Sequence, residues 1–181
     1  NSVILHYDAA NRAMLAGDMI VNDTACEFSM YSADVTRSYP VSGRFSPAQR
    51  SIYEIVLAAQ QAGIAAARVG NHVGDIGHAV QTVAEGAGFG VVRELVGHGI
   101  GTQFHEEPQV PNHGQPKRGP RLLEGMTIAI EPMLNIGTHE IRTLADKWTV
   151  VTRDASLSAH FEHTVAIGSN GDPPRILTQA E

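Results

Sequence analysis

The sequence predicts an α+β domain built on antiparallel hairpins, and three observations carry that expectation. Alternating, β-rich runs flank turn residues near both ends of the chain. Two consecutive segments with helical spacing of apolar residues lie between them. The C-terminal half returns to short alternating runs broken by Gly, Pro and Asn. At 181 residues the chain fits one domain with a sizeable core, so residues 1–181 are read as a single unit.

The elements follow in order. Ser2–Tyr7 reads as a first strand. Met19–Ala25 and Ala33–Val41 read as two arms of a hairpin, with Glu27–Ser32 as its turn region. Ser46, Pro47 and Gln49 form a helix start with a capping box, and the helix runs toward Arg68 and stops at Gly70-Asn71. A second helix begins near Asp75, with Ile76, Val80, Val83, Ala84 and Ala87 as its apolar face. Phe89–Val96 is strand-like. Residues 108–120 are rich in Pro, Gly and Asn and read as a loop. Residues 123–133 form a turn and an alternating strand that puts Glu131 on the face of Thr127 and Ala129. Glu140–Leu144 and Trp148–Thr152 make another hairpin, and Ser158–Ile167 is the last strand. The tail from Gly168, with Pro173-Pro174, reads as irregular.

Composition excludes several function classes. The net charge is −6, whereas a nucleic-acid surface needs a basic patch. No apolar run reaches the length of a membrane span. Cys26 is the one cysteine, so no internal disulfide can form, which fits a reducing compartment and a cytoplasmic location. The first residue is Asn1 with no initiator Met, which suggests a processed chain or a fragment.

The chemistry gathers around residues 95–108, where Gly97, Gly99 and Gly101 surround His98, and His105 follows seven residues on. Glycines crowded around one histidine point to close approach of backbone. A histidine in such a setting is most often structural, and its weight depends on partners elsewhere. Those partners are Asp23 and Asp34, one on each arm of the first hairpin, expected as near-opposite neighbours, together with Glu131 and Glu162 in later strands. Two Asp, two Glu and one His make an oxygen-rich set suited to two divalent cations, of manganese, cobalt, iron or zinc. Such a pair activates a shared water and polarises a carbonyl. Glu131 is the candidate proton shuttle, and His105 and His6 are candidate donors to a developing oxyanion. The set describes metal-assisted amide hydrolysis.

These residues resemble the pita-bread metallopeptidases, the group of methionine aminopeptidases, Xaa-Pro aminopeptidases, prolidases and creatinase. The order Asp23, Asp34, His98, Glu131, Glu162 matches the family's ligands. Residues 1–60 resemble Xaa-Pro aminopeptidases, through Asn1–Tyr7 and Asp34–Ser46. Residues 62–167 resemble type I methionine aminopeptidases, through Gly97–Gly101, Phe104–Val110, Ile130–Met133 and Leu157–Thr164. The resemblance implies a curved, mostly antiparallel sheet with helices on its outer face, here lacking the family's first helical segment. It implies removal of an N-terminal residue from a peptide or nascent protein. It also implies that Phe104 and Trp148 wall a side-chain pocket, with His6 and His105 beside the substrate. Proline-directed members carry a His at the place of Glu94 and an Arg at the place of His160. Their absence favours methionine removal over X-Pro cleavage. Further alternatives are a non-catalytic peptide-binding module and a small-molecule C–N hydrolase.

Overall fold

The computed structural model describes residues 13–169 and 171–179, and the backbone of Ile4–His6. Strand β1 (Ile4–His6) precedes a long hairpin of β2 (Met19–Phe28) and β3 (Tyr31–Pro40). Helices α1 (Pro47–Ala66) and α2 (Val73–Gly86) follow. The rest is short strands: β4 (Gly90–Val91), β5 (Gly97–Gly99), β6 (Glu106–Val110), β7 (Thr127–Ile130), β8 (Met133–Asn135), β9 (Ile141–Thr143), β10 (Val150–Thr152), β11 (Ser158–His160), β12 (His163–Ala166) and β13 (Arg175–Ile176).

Every described strand pairing is antiparallel. The largest sheet runs β13-β12-β7-β5-β6, beside the three-stranded sheets β11-β8-β4 and β1-β10-β9 and the hairpin β2-β3. The two helices cover the apolar side. Ile52, Val56 and Ala59 of α1 and Val80 of α2 pack on Leu134, Ala159 and Phe161. Ile64, Val73 and Ile76 pack on Ile128, Ile130 and Val165. The helices lie close because Gly63 has no side chain: a Cβ there would sit 2.8 Å from Val80 Cγ2.

The capping box at the start of α1 is present as expected, with Ser46 and Gln49 each accepting from the other's backbone N–H. Several local readings differ from expectation. The first hairpin turns at Ser29-Met30 alone, both with positive φ (52° and 71°), so the strands continue through residues assigned to the turn. Its two-residue loop, with positive φ at both positions, matches the right-handed twist of the strands, where a type I or II turn would splay them. The glycine motif contributes strand β5 at residues 97–99, and β6 takes in Pro108–Val110, assigned to a loop. Of the run 89–96, only Gly90–Val91 is strand. Part of the tail is ordered by pairing: Arg175–Ile176 adds β13 to β12. The last expected strand, 158–167, is broken at Phe161-Glu162 into β11 and β12.

Candidate metal centre

Strand β3 buries alternate residues, and three of them meet the chain segment 160–164, Asp34 and Thr36 through their backbone and Ser38 through its hydroxyl. Asp34 N–H donates to Thr164 Oγ1, and that hydroxyl donates to Asp34 C=O, both at 2.9 Å. Glu162 N–H donates to Thr36 C=O at 3.0 Å. Ser38 Oγ donates to His160 C=O at 2.9 Å and accepts from His160 N–H at 3.0 Å. The period-two geometry of a strand puts 34, 36 and 38 on one face. Each therefore locks a successive alternate residue of the opposing segment: 164, 162 and 160.

These contacts bring the predicted ligands together. One donor atom from each of Asp34, His98 and Glu162 lies within 4.8 Å of the others, and all three residues are buried. His98 Nε2 is 4.0 Å from Asp34 Oδ2 and 3.5 Å from Glu131 Oε1. Asp23 stands at the exposed rim, where its Oδ1 accepts from Thr36 Oγ1 at 2.8 Å. The same hydroxyl lies 2.9 Å from Glu162 Oε2. The hairpin register pairs Asp23 with Thr36 and Asp34 with Ala25, so the two aspartates are diagonal neighbours on one face, not directly opposite. The tight turn at Ser29-Met30 sets that two-residue offset.

His98 reaches the site from β5, wedged between β6 and β7. A Cβ on Gly97 would collide with the Ala129 carbonyl, and one on Gly99 with the Glu107 carbonyl. The glycines thus admit the neighbouring strands. His98 Nδ1 lies 2.9 Å from the Gly99 carbonyl. A carbonyl only accepts, so Nδ1 carries the proton and Nε2 presents its lone pair to the carboxylates.

The electrostatics call for positive charge. Burial, reinforced by Glu162, Asp23 and Asp34, pushes the Glu131 carboxyl up to about 10. Burial and then the charges of Asp34 and Asp23 push Glu162 to about 8, and burial with the Asp23 charge pushes Asp34 to about 6. Burial also lowers His98, favouring the neutral imidazole that a ligand requires. Glu162 Oε1 is buried without a hydrogen-bond partner. Acidic groups crowded this closely, one with an unused oxygen, fit divalent cations that would supply the missing charge and bonds.

A cavity of about 800 Å³ opens over the cluster, lined by all five predicted ligands. Phe104, His105, Trp148 and His160 also line it. The His105 ring lies 4.3 Å from that of His98, centroid to centroid, and packs edge-on against Phe104. Phe104 and Trp148 are 38% and 54% exposed, so the wall they form is open to solvent. The β1 backbone places His6 opposite Val150, but its side chain lies outside the described residues. Glu106 and Glu107, which have no ligand role in the sequence reading, accept backbone N–H groups of Gln103 and Gln109. The sequence reading missed Thr36, Ser38 and Thr164. Their signal was the alternation from Asp34, which already placed 36 and 38 on the ligand's face.

The sequence profile of metallopeptidase family M24 matches residues 1–169. The chain belongs to this family. M24 membership brings with it a requirement for divalent metal ions. A methionine aminopeptidase from Clostridium acetobutylicum is 42% identical over all of this chain, which covers 72% of that protein. The crystal structure of the Thermotoga maritima methionine aminopeptidase superposes with a TM-score of 0.85 at 36% identity, over 91% of this chain and 65% of that one. Prolidase from Pyrococcus furiosus is more distant, with a TM-score of 0.74 at 27% identity over 95% of this chain and 44% of that one. Within M24 the chain is thus a metalloaminopeptidase-type hydrolase, nearer to these methionine aminopeptidases than to that prolidase. Both neighbours share its fold.

Proposed function

We propose that the chain removes N-terminal methionine from peptides or nascent proteins with two divalent ions held by Asp23, Asp34, His98, Glu131 and Glu162. The observation that carries this reading is the convergence of Asp34, His98 and Glu162 donors within 4.8 Å, with Glu131 beside His98. When bound, the ions supply Lewis acidity and an activated water.

The protein's own groups do the rest. Asp34 on β3 and Glu162 in the link between β11 and β12 would hold the ions, their segments joined through Thr36 and Thr164. Glu131, a carboxylate once bound ions supply the missing positive charge, would accept a proton from water and return it to the leaving amine. His105, from the cavity wall, donates to the oxygen that gains charge in the transition state, and His6 is assigned the same donor role. The free amine of the substrate binds by the acidic rim, which restricts cleavage to the first residue. Phe104 and Trp148 offer the apolar surface for a methionine side chain. Manganese, cobalt, iron and zinc all suit a carboxylate-rich set with one imidazole. A cytoplasmic location accords with the single cysteine and with nascent chains as substrate. No described helix is long and apolar enough to cross a membrane.

The test compares Met-Ala-Ser with Ala-Pro-Ala in added manganese or cobalt. Cleavage of the first, abolished by a chelator and restored by metal, is expected. Preference for Ala-Pro-Ala would transfer the activity to the proline-directed class. Turnover that survives the chelator would overturn the metal reading altogether.

A further inference from the structure

The surroundings of His160 give it a task beside Glu131. It is buried, at 5% exposure, and lines the cavity. Its backbone is pinned on both sides by the Ser38 hydroxyl, the last of the three β3 locks. Its Nε2 lies 3.7 Å from Glu131 Oε2. The other oxygen of that carboxylate, Oε1, lies 3.5 Å from His98 Nε2. Glu131 is therefore held between two imidazoles, one at each oxygen.

We infer that His160 is the positioning residue of Glu131, engaging Oε2 so that Oε1 alone is turned toward the ion beside His98. This rests on the dinuclear reading above. A carboxylate with two unrestrained oxygens can chelate one ion through both, or rotate away. A donor fixed on one oxygen leaves a single orientation, with Oε1 for the metal and Oε2 on the substrate side, where a proton must be exchanged. The 3.7 Å separation exceeds a direct hydrogen bond and suits an ion pair or a contact through one water. Partners of this kind around metal ligands change affinity by about 10- to 100-fold when removed.

The ligand set is not altered by this role. His160 lies on β11 and Glu131 in the link between β7 and β8, and His160 Nε2 faces Oε2 at 3.7 Å while Oε1 is left on the His98 side.

The test measures divalent-metal affinity by calorimetry and the Co(II) absorption spectrum for the wild type, His160→Gln and His160→Leu. Glutamine keeps an N–H donor, whereas leucine fills similar space without one. His160→Leu is expected to bind the weaker of two cobalt ions about 10- to 100-fold less tightly, with a changed spectrum. His160→Gln should restore most of the affinity and the wild-type spectrum. Thermal unfolding with chelator present separates this from loss of fold, and Ser38→Ala, which frees the His160 backbone, should shift affinity the same way by a smaller factor. Equal affinity and spectra in wild type and His160→Leu would overturn the inference. So would X-ray absorption showing one fewer bound imidazole in His160→Gln, which would make His160 a ligand. Failure of the wild type itself to take up divalent metal is a different result, and sinks the dinuclear reading instead.

Discussion

Thr36 has one hydroxyl proton and two carboxylates facing it, Asp23 Oδ1 at 2.8 Å and Glu162 Oε2 at 2.9 Å. It sets the relative position of two proposed ligands, one on β2 and one in the link between β11 and β12, without being one itself. Thr36→Val keeps the shape and the β-propensity and removes that link. We expect metal affinity to fall about 10- to 100-fold, read by calorimetry, with little change in far-UV circular dichroism. Unchanged affinity would mean that strand pairing alone positions Glu162. Arg37 works from the other side of the strand. Its guanidinium donates to the carbonyls of Thr36 and Glu162, each at 2.8 Å, and to His163 Nε2 at 2.9 Å. His163 is consequently an acceptor at Nε2, with Nδ1 beside Thr178 Oγ1 at 2.8 Å. Burial and the neighbouring guanidinium push it down to about 4.

At the scale of elements, β5 is hemmed in closely by its two neighbours. Its glycines let β6 and β7 close on either side of His98, and Gly97→Ala would drive a methyl group into the Ala129 carbonyl. The strand must shift, so a loss of about 1–3 kcal/mol is expected in urea unfolding, together with weaker metal binding. Ser46→Ala provides the contrast. It removes the α1 cap on the helix side of the sheet and should cost about 1 kcal/mol while leaving metal affinity unaltered. If both variants lost stability and neither lost metal, β5 would have no special part in placing His98.

Across the whole molecule, the acidic cluster couples folding to pH and to metal. Asp34, Glu162 and Glu131 retain their protons up to about 6, 8 and 10 when metal-free. Ordinary carboxylates titrate at about 4, so between these values the folded chain binds more protons than the unfolded one. The stability this contributes is fully present below about pH 4 and is lost as pH rises through the folded-state values. Chelator-treated protein should therefore melt at a lower temperature at pH 8 than at pH 5. Divalent ions should reverse that trend, adding about 2.7 kcal/mol at a hundredfold excess over Kd. A metal-free melting curve that does not move between pH 5 and pH 8 would show that these carboxylates are not buried together.

The sequence alone determined the helices and the identity of the proposed ligands, because both are written locally. Ser46 and Gln49 sit three residues apart on one turn, and apolar spacing marks the faces of α1 and α2 without reference to anything distant. Asp23, Asp34, His98, Glu131 and Glu162 stand out because acidic and imidazole side chains are costly inside β-rich segments unless something binds them. Tertiary structure decided what depends on register and on contact between remote segments. A turn of two residues, Ser29 and Met30, makes the aspartates diagonal. Pairing across the fold sets 34, 36 and 38 against 164, 162 and 160, and gives His160 a place against Glu131. Local sequence cannot specify such contacts, since moving a strand by one residue exchanges its faces while leaving its composition unchanged.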